Sequence, residues 1–254
     1  MANRFQAAPG EPSTVEIMIT AIAAMLDGLG HVAVGARSPI PGSAAHLAHA
    51  RSDGRLRVSI LGSRKHSSFT DGARELFDCA GQGRIGAFFL SGGQIDGAAN
   101  INLVGVGDVA EYPRAQARFP GSFGSAYLYY VVPRVILFHL EHSPRTLVPK
   151  VDFVSAPGTS GPDVYRPGGP YALVTSLCVF RFDRGRGRFT LASTHPGVSR
   201  ATVREATGFD YDEPDTVPIT PSPDAAALAL LRTDIARTVA ETYPAFAAKT
   251  WGIG

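Results

Sequence analysis

Apolar residues recur at helical intervals from Val15 through Met18, Ile19, Ile22, Met25 and Leu26, and the run stops at Gly28 and Gly30. Ser13 and Glu16 stand just ahead with the spacing of a capping box, in which each side chain satisfies a free backbone N–H near the other, so the pattern predicts a first helix. The period then changes. HVAVGA (31–36) is a short β-branched run entering a Pro/Gly loop, a helical segment is expected around Gly42–Ala50, and RVSILG (57–62) reads as a second strand.

Beyond the polar loop SRKHSSFT, Thr70 or Asp71 is placed to cap a helix with Ala73, Leu76, Phe77 and Ala80 on one face, ending at Gly81 and Gly83. IGAFFL (85–90) is apolar on both faces, as a parallel strand covered by helices must be, and a helix between two such strands implies a βαβ unit. After a Gly/Pro-rich stretch, 105–125, RVILFHL (134–140) is another buried strand. Residues 171–195 read as two extended arms of a hairpin around Gly185–Gly187. Ser199 caps a short helix ending at Gly208, a Pro-rich linker covers 213–223, and 224–243 form a last Ala/Leu-rich helix. The sum is an α/β fold: an open, mostly parallel sheet flanked by helices, with antiparallel additions. One domain is expected over 14–210, with the linker and C-terminal helix of 211–254 packed on it.

Composition narrows the function. Hydrophobic residues make up 44% of the 254 and charged ones 18%, which suits a globular chain with a substantial core. The net charge of +2 balances 24 basic against 22 acidic residues without a long block of one sign, so nucleic-acid binding is not expected. Local basic clusters at Arg51–Lys65 and at Arg181, Arg184, Arg186 and Arg188 suit phosphates or, more commonly, a solvated face. Two cysteines, Cys79 and Cys178, form neither a disulfide framework nor a metal-site spacing, and they read as reduced buried thiols with no metal bound. MANRFQAAPGEPS lacks an apolar leader core and no apolar stretch reaches membrane-spanning length, so a soluble cytoplasmic protein is expected.

In open α/β sheets ligands bind beyond the carboxyl ends of the strands, which directs attention to loops 62–70, 91–102 and 119–126. Their glycines let backbone approach a ligand and present N–H groups to an oxyanion, while Gln94, Asn100 and Asn102 add neutral donors and acceptors. The plain alternative is a set of ordinary turns. Ser63 and His66 are the candidate nucleophile and base, although no elbow motif surrounds the serine and a surface pair is the commoner meaning. Arg64 and Lys65 suit phosphates or a partner subunit; Arg114 and Arg118 suit a substrate carboxylate or, more commonly, a solvated surface. His139 and His142, at a strand end, suit a structural role.

Four blocks carry a resemblance: GARELFDCAGQGRIGAFFLSGGQIDGAANIN (72–102), FPGSFGSAY (119–127), VPKVDFVSAPG (148–158) and HPGVSRATVREATGF (195–209). In this order, from about residue 15 to 209, the chain resembles the β subunits of glutaconate-type family I coenzyme A transferases. The resemblance implies a NagB/RpiA/CoA-transferase-like fold and an α-type partner subunit in a heterodimer or heterotetramer. It further implies an acyl-CoA thioester as substrate with no bound cofactor, and contacts to substrate or CoA from Gly92, Gly93, Gln94, Asn100, Asn102, Gly121, Ser122, Gly124 and Ser125.

The resembled transferases carry their nucleophilic glutamate after the strand matching RVSIL, as Glu-x-Gly. Here Arg55–Thr70 contains no carboxylate, and matching the motif glycine to Gly62 places Ile60 at the nucleophile position. Two further departures fall in the ligand loops: Ala99 where the resemblance implies glycine, and Phe123 inside the Gly121–Gly124 turn. The sterol-degrading ring-opening CoA hydrolases, which resemble transferases but draw their glutamate from the α-type subunit, offer a precedent. The expected function is therefore that of the β subunit of a CoA-transferase-type enzyme, either a transferase with a displaced carboxylate or, more in line with Ile60, a hydrolase (hydrolysis or ring opening) or lyase using a partner-subunit carboxylate. The alternative is a non-catalytic CoA-binding subunit, with an isomerase of sugar phosphates a weaker third.

Overall fold

A computed structural model describes residues 10–108, 111 and 114–253; most of the N-terminal segment expected to carry no leader, residues 1–9, lies outside them. In chain order the helices are α1 (Thr14–Ala24), α2 (Pro39–Arg51), α3 (Gly72–Gly81), α4 (Ser125–Val131), α5 (Arg200–Ala206), α6 (Ala225–Leu230), α7 (Ala236–Thr242) and α8 (Pro244–Trp251), with a π turn at Leu231–Ile235. The longer strands are β1 (His31–Val34), β2 (Arg57–Ile60), β3 (Ala87–Leu90), β8 (Arg134–His139), β9 (Pro170–Thr175), β10 (Cys178–Asp183) and β11 (Arg188–Thr194). Two-residue strands β4 (Gln94–Ile95), β5 (Ile101–Asn102), β6 (Gly105–Val106) and β7 (Ala117–Arg118) lie between β3 and α4. The chain divides into two compact units, residues 1–89 with 220–254, and residues 90–219.

In the first unit β1 runs parallel to β2 in the register His31↔Arg57 to Val34↔Ile60, and parallel to β3 through Val32↔Ala87. Helices separate these strands in sequence, so the βαβ order expected from the pattern is present. α2 packs on α1, β1, β2, the π turn and α7. It is buried from Ile40 to Ala48, and its small residues, Gly42, Ser43, Ala44, Ala45 and Ala48, allow that approach. A helix buried on all sides has no polar face to alternate with. This is why only Gly42–Ala50 of the helix is legible in the pattern, while the start at Pro39 is not.

Glu16 holds the first unit's terminal helices together. Its carboxylate completes the capping box by accepting from the Ser13 N–H at 2.8 Å. It also accepts from Arg232 Nε at 2.8 Å and from Trp251 Nε1 at 3.3 Å. Burial works to raise this carboxyl's pKa, but the hydrogen bonds and charge of Arg232 and the bonds from Ser13 outweigh it, leaving it below its usual value. The last helix expected from the pattern, 224–243, is α6, the π turn and α7 in succession, capped by Asp224, whose Oδ1 accepts from Ala227 N at 2.7 Å. α8 is an addition to the expected elements. At α3 the cap comes from inside the helix: Glu75 reaches back to the N–H groups of Thr70 and Asp71, in place of the cap expected from Thr70 or Asp71 themselves.

In the second unit β8 runs parallel to β9, and β9, β10 and β11 are antiparallel neighbours. The hairpin expected around Gly185–Gly187 is β10–β11, but its upstream arm breaks at Ser176-Leu177 to form β9 as a separate strand. No Gly or Pro marks that turn. Thr175 makes it, its Oγ1 accepting from the N–H groups of Leu177 at 3.2 Å and Cys178 at 3.3 Å. The buried His142, three residues past the end of β8, bridges Thr175 Oγ1 at 2.7 Å and Thr207 Oγ1 at 2.8 Å, a structural role. No helix among the described residues is long and apolar enough to cross a membrane.

Replacing Glu16 with Gln removes the charge from a carboxylate whose side chain is only 3% exposed and leaves Arg232 without its counter-ion. The expected cost is about 2–4 kcal/mol, read as a lower urea midpoint at unchanged slope. Because the folded carboxyl titrates below its unfolded value, this contribution is present above the unfolded pKa and fades as pH falls through the folded one. The wild type and Glu16→Gln should therefore converge in stability in strong acid.

Candidate functional site

Loop 62–70 follows β2 in the first unit. Gly62 takes a left-handed φ of +81°, and the loop closes through Ile60 N–H donating to the His66 carbonyl at 2.7 Å. Ser63 and His66, the candidate nucleophile and base, are joined by the His66 backbone N–H donating to Ser63 Oγ at 3.0 Å. The His66 ring stands edge to face with His46 of α2, centroids 4.7 Å apart. The serine hydroxyl thus closes a turn, and the imidazole packs on a second imidazole.

The loop is pinned at its far end too. His31 Nε2 bonds Ser59 Oγ at 2.8 Å, Ser59 Oγ bonds Ser68 Oγ, and the His31 ring stacks on Phe69. Burial, with the charges of Arg57 and Arg84, lowers His31 to about 4. Burial also lowers His46 to about 4, helped by His66 and His49 and opposed by Glu241. Both imidazoles are neutral at pH 7. Ile60, at the end of β2, is buried at 1% exposure.

Loop 91–102 is built on tight backbone contacts. A Cβ on Gly92 would stand 2.4 Å from Ile101 Cγ2, and one on Gly93 would meet the Phe119 ring at 2.0 Å. Neither position accepts a side chain without movement. Asp96 organises the turn between β4 and β5: its Oδ1 accepts from the N–H groups of Ala98 and Asn100, each at 3.0 Å, and its Oδ2 from Asn100 Nδ2 at 3.1 Å. Asn100 Oδ1 then accepts from Gly158 N–H at 3.1 Å. Ala99 sits between them at φ +58°, a left-handed conformation that costs an alanine roughly 1–2 kcal/mol, with its carbonyl held by the buried Tyr129 hydroxyl at 2.8 Å.

Gln94 and Asn102 face each other across the β4–β5 pair and are 5% and 0% exposed. Asn102 Nδ2 donates to Gln94 Oε1 and to the Gly105 carbonyl, each at 2.7 Å, while its Oδ1 accepts from Val104 and Gly105 N–H. Gln94 Oε1 also accepts from Asp152 N–H at 2.9 Å, and its Nε2 donates to Asp152 Oδ2 at 3.1 Å. The amides of Gln94, Asn100 and Asn102 are therefore engaged in holding the loop's shape. Asp96, Asp152 and Gly158 share that work, and their signal in the sequence is an aspartate four residues before an asparagine, and the VDF triplet and PG pair of the block 148–158.

Loop 119–126 joins the same assembly. Phe119 N–H donates to the Val104 carbonyl at 2.9 Å and Gly121 N–H to the Leu103 carbonyl at 3.0 Å, so the Gly121 turn lies beside the end of β5. Gly121 has φ +99° and Phe123 φ +44°. The Phe123 side chain is 84% exposed. Ser125 N–H closes the turn on the Ser122 carbonyl at 2.9 Å, and Gly124 precedes α4. In the second unit, then, the loop of Gly92 and Gly93 meets the chain at Phe119 and Gly121, with Ser122, Gly124 and Ser125 following in the turn before α4, whereas Ser63 and His66 belong to a loop of the first unit. Among the described residues no group of three or more His, Cys, Asp or Glu is placed to hold a metal.

Parallel strands joined by helices, followed by close-packed glycine loops braced by inward-facing amides, define an α/β protein. The chain belongs to the coenzyme A transferase family, whose model matches residues 17–206. Over 164 residues it is 35% identical to the B component of the 3-oxoadipate CoA-transferase of Pseudomonas knackmussii, a match covering 62% of each chain. It is 29% identical to the cholesterol ring-cleaving hydrolase IpdB subunit of Mycobacterium tuberculosis over 151 residues, 56% of this chain and 57% of that one. The matches thus span about three fifths of the curated relatives' length. Among solved structures the decarboxylase AibA/AibB superposes with a TM-score of 0.74 at 25% identity, covering 87% of this chain and 93% of that one.

Replacing Asn102 with Asp turns a double donor into an acceptor facing two acceptor oxygens. A loss of about 3 kcal/mol or more is expected at pH 8, with partial recovery near pH 5 where the protonated carboxyl donates once; the urea midpoint measured against pH reads both. The neutral buried imidazoles give a second pH signature. Their folded pKa of about 4 lies below the 6.5 of an unfolded histidine. The unfolded chain therefore binds more protons in between, and stability should fall as pH drops from 6.5 to about 4. In a His46→Asn variant that slope should be shallower, measured by urea melts at half-unit pH steps.

Proposed function

We propose that this chain is the β-type subunit of a heteromeric enzyme acting on an acyl-CoA thioester, assembled with an α-type CoA-transferase subunit. The observation that carries the reading is the family match across residues 17–206. The relatives add to it: one is named as a component of a transferase, one as a ring-cleaving hydrolase subunit, one as a two-component decarboxylase. One scaffold thus accompanies three reactions.

In this reading the peptide groups of the Gly121–Gly124 turn and the hydroxyls of Ser122 and Ser125 receive the thioester, and preorganised donors stabilise the oxyanion that forms when its carbonyl is attacked. Gln94, Asn100 and Asn102 act behind them, keeping loop 91–102 in place. Arg55–Thr70 holds no carboxylate and Ile60 is buried, so no acyl-glutamyl intermediate forms on this stretch. A carboxylate from the partner activates water instead, and the outcome is hydrolysis or ring opening. Ser63 and His66 shape loop 62–70, and no metal or bound cofactor takes part.

The test is to purify the chain with its α-type partner and follow CoA release or ring opening over a panel of linear and cyclic acyl-CoA esters, with and without a carboxylic acid acceptor. Turnover independent of the acceptor, with no hydroxylamine-sensitive acyl adduct on this chain, is expected. Acceptor-dependent exchange with label trapped on this chain would establish a transferase instead. Tight CoA binding without any turnover would make this a non-catalytic subunit.

A further inference from the structure

The family match ends at residue 206, yet the last helices return to the carboxyl ends of β1 and β2. Tyr243 occupies the break between α7 and α8, and its hydroxyl donates to the Gly35 carbonyl, directly after β1, at 3.1 Å. Its ring lies so close to Gly42 of α2 that a Cβ added there would stand 3.0 Å from Tyr243 Cε2 and 3.7 Å from Ile60 Cδ1. Two residues earlier, Glu241 pairs with Lys65 in the loop after β2.

One short segment thus contacts two successive loops at the end of the strands where open α/β sheets receive ligands. Its attachment does not depend on these contacts. Arg232 and Trp251 bond Glu16, and Asp224 caps α6 and pairs with Arg51 at 3.5 Å. What the two contacts add is order in the loops. Tyr243 fixes a carbonyl where the chain leaves β1, and Glu241 restrains an ammonium whose four-carbon stem otherwise moves freely.

We infer that Glu241 and Tyr243 are positioning residues for ligand binding, through which the segment 236–251 holds the loops after β1 and β2 in the form that binds the coenzyme A moiety. This rests on the acyl-CoA reading proposed above. An exposed ion pair and a single hydrogen bond contribute little to global stability, so the effect belongs to loop order and affinity.

The experiment titrates coenzyme A calorimetrically into the full-length chain complexed with its α-type partner, and measures amide hydrogen exchange over residues 62–70, for wild type, Tyr243→Phe, Glu241→Gln and the double variant. Phe keeps the ring packing. The double variant should bind coenzyme A roughly three- to tenfold more weakly and exchange faster over 62–70, with little change in thermal midpoint. Exchanging the charges, Lys65→Glu with Glu241→Lys, should restore slow exchange. Asp224→Ala, which removes the distant helix cap, should lower the midpoint and leave affinity unchanged. Unchanged affinity and exchange in the double variant, or an equal loss of affinity in Asp224→Ala, overturns the inference. If the wild-type complex does not bind coenzyme A, the acyl-CoA reading fails; faster exchange over 62–70 then still supports the ordering role, and unchanged exchange removes it.

Discussion

The side chain of Asn102 is fully buried, and a buried amide must find its hydrogen bonds inside the protein or carry their loss. It finds four: two donated, to Gln94 and the Gly105 carbonyl, and two accepted, from Val104 and Gly105. That requirement spreads. Gln94 can offer its oxygen to Asn102 only in a fixed rotamer, which Asp152 secures by bonding both ends of the same amide; Asp152 in turn accepts from Gly107. A saturated network of this kind is rigid, because moving any member leaves another unpaired at low dielectric. The peptide backbone of loop 91–102 is held by it.

Rigidity of the framework explains how glycine serves here. Gly92, Gly93 and Gly158 are not flexible hinges: each is pressed against a neighbour closely enough that no side chain fits. Close contact carries the segment ending at Gly158 onto the Ala98–Ala99 backbone and brings Phe119 against the Gly93 position. The turn that contains Ala99 keeps a left-handed conformation with an alanine in it because Asp96, Tyr129 and Asn100 define it from three sides. Phe123 departs from a bare loop differently, at the surface, in the turn that leads into α4.

The first unit follows a related rule with charge in place of amides. Glu16 is buried and ionised, a state stable only because Ser13, Arg232 and Trp251 all bond it. The consequence is structural: residues more than two hundred positions apart share one carboxylate, and the C-terminal helices become part of the body that carries β1 and β2. That placement puts Glu241 and Tyr243 beside the loops that follow those strands.

The amino-acid pattern by itself determined most of the elements, because periodicity, caps and glycine stops are local physics. α1 with its capping box, the parallel strands β1, β2 and β3, the β10–β11 hairpin and the Ser199 cap of α5 are all readable from a few neighbouring residues. Family membership was legible for a similar reason, as four ordered blocks keep their spacing in the chain. Tertiary structure decided what local pattern cannot encode. The start of α2 is invisible in a helix buried all round, and the turn that separates β9 from β10 depends on the Thr175 hydroxyl rather than on glycine or proline. Whether Gln94 and Asn100 face a ligand or brace a loop depends on their partners Asp152 and Gly158, more than fifty residues away. A polar side chain looks the same in sequence in either role, and only the distance to its hydrogen-bond partner tells them apart.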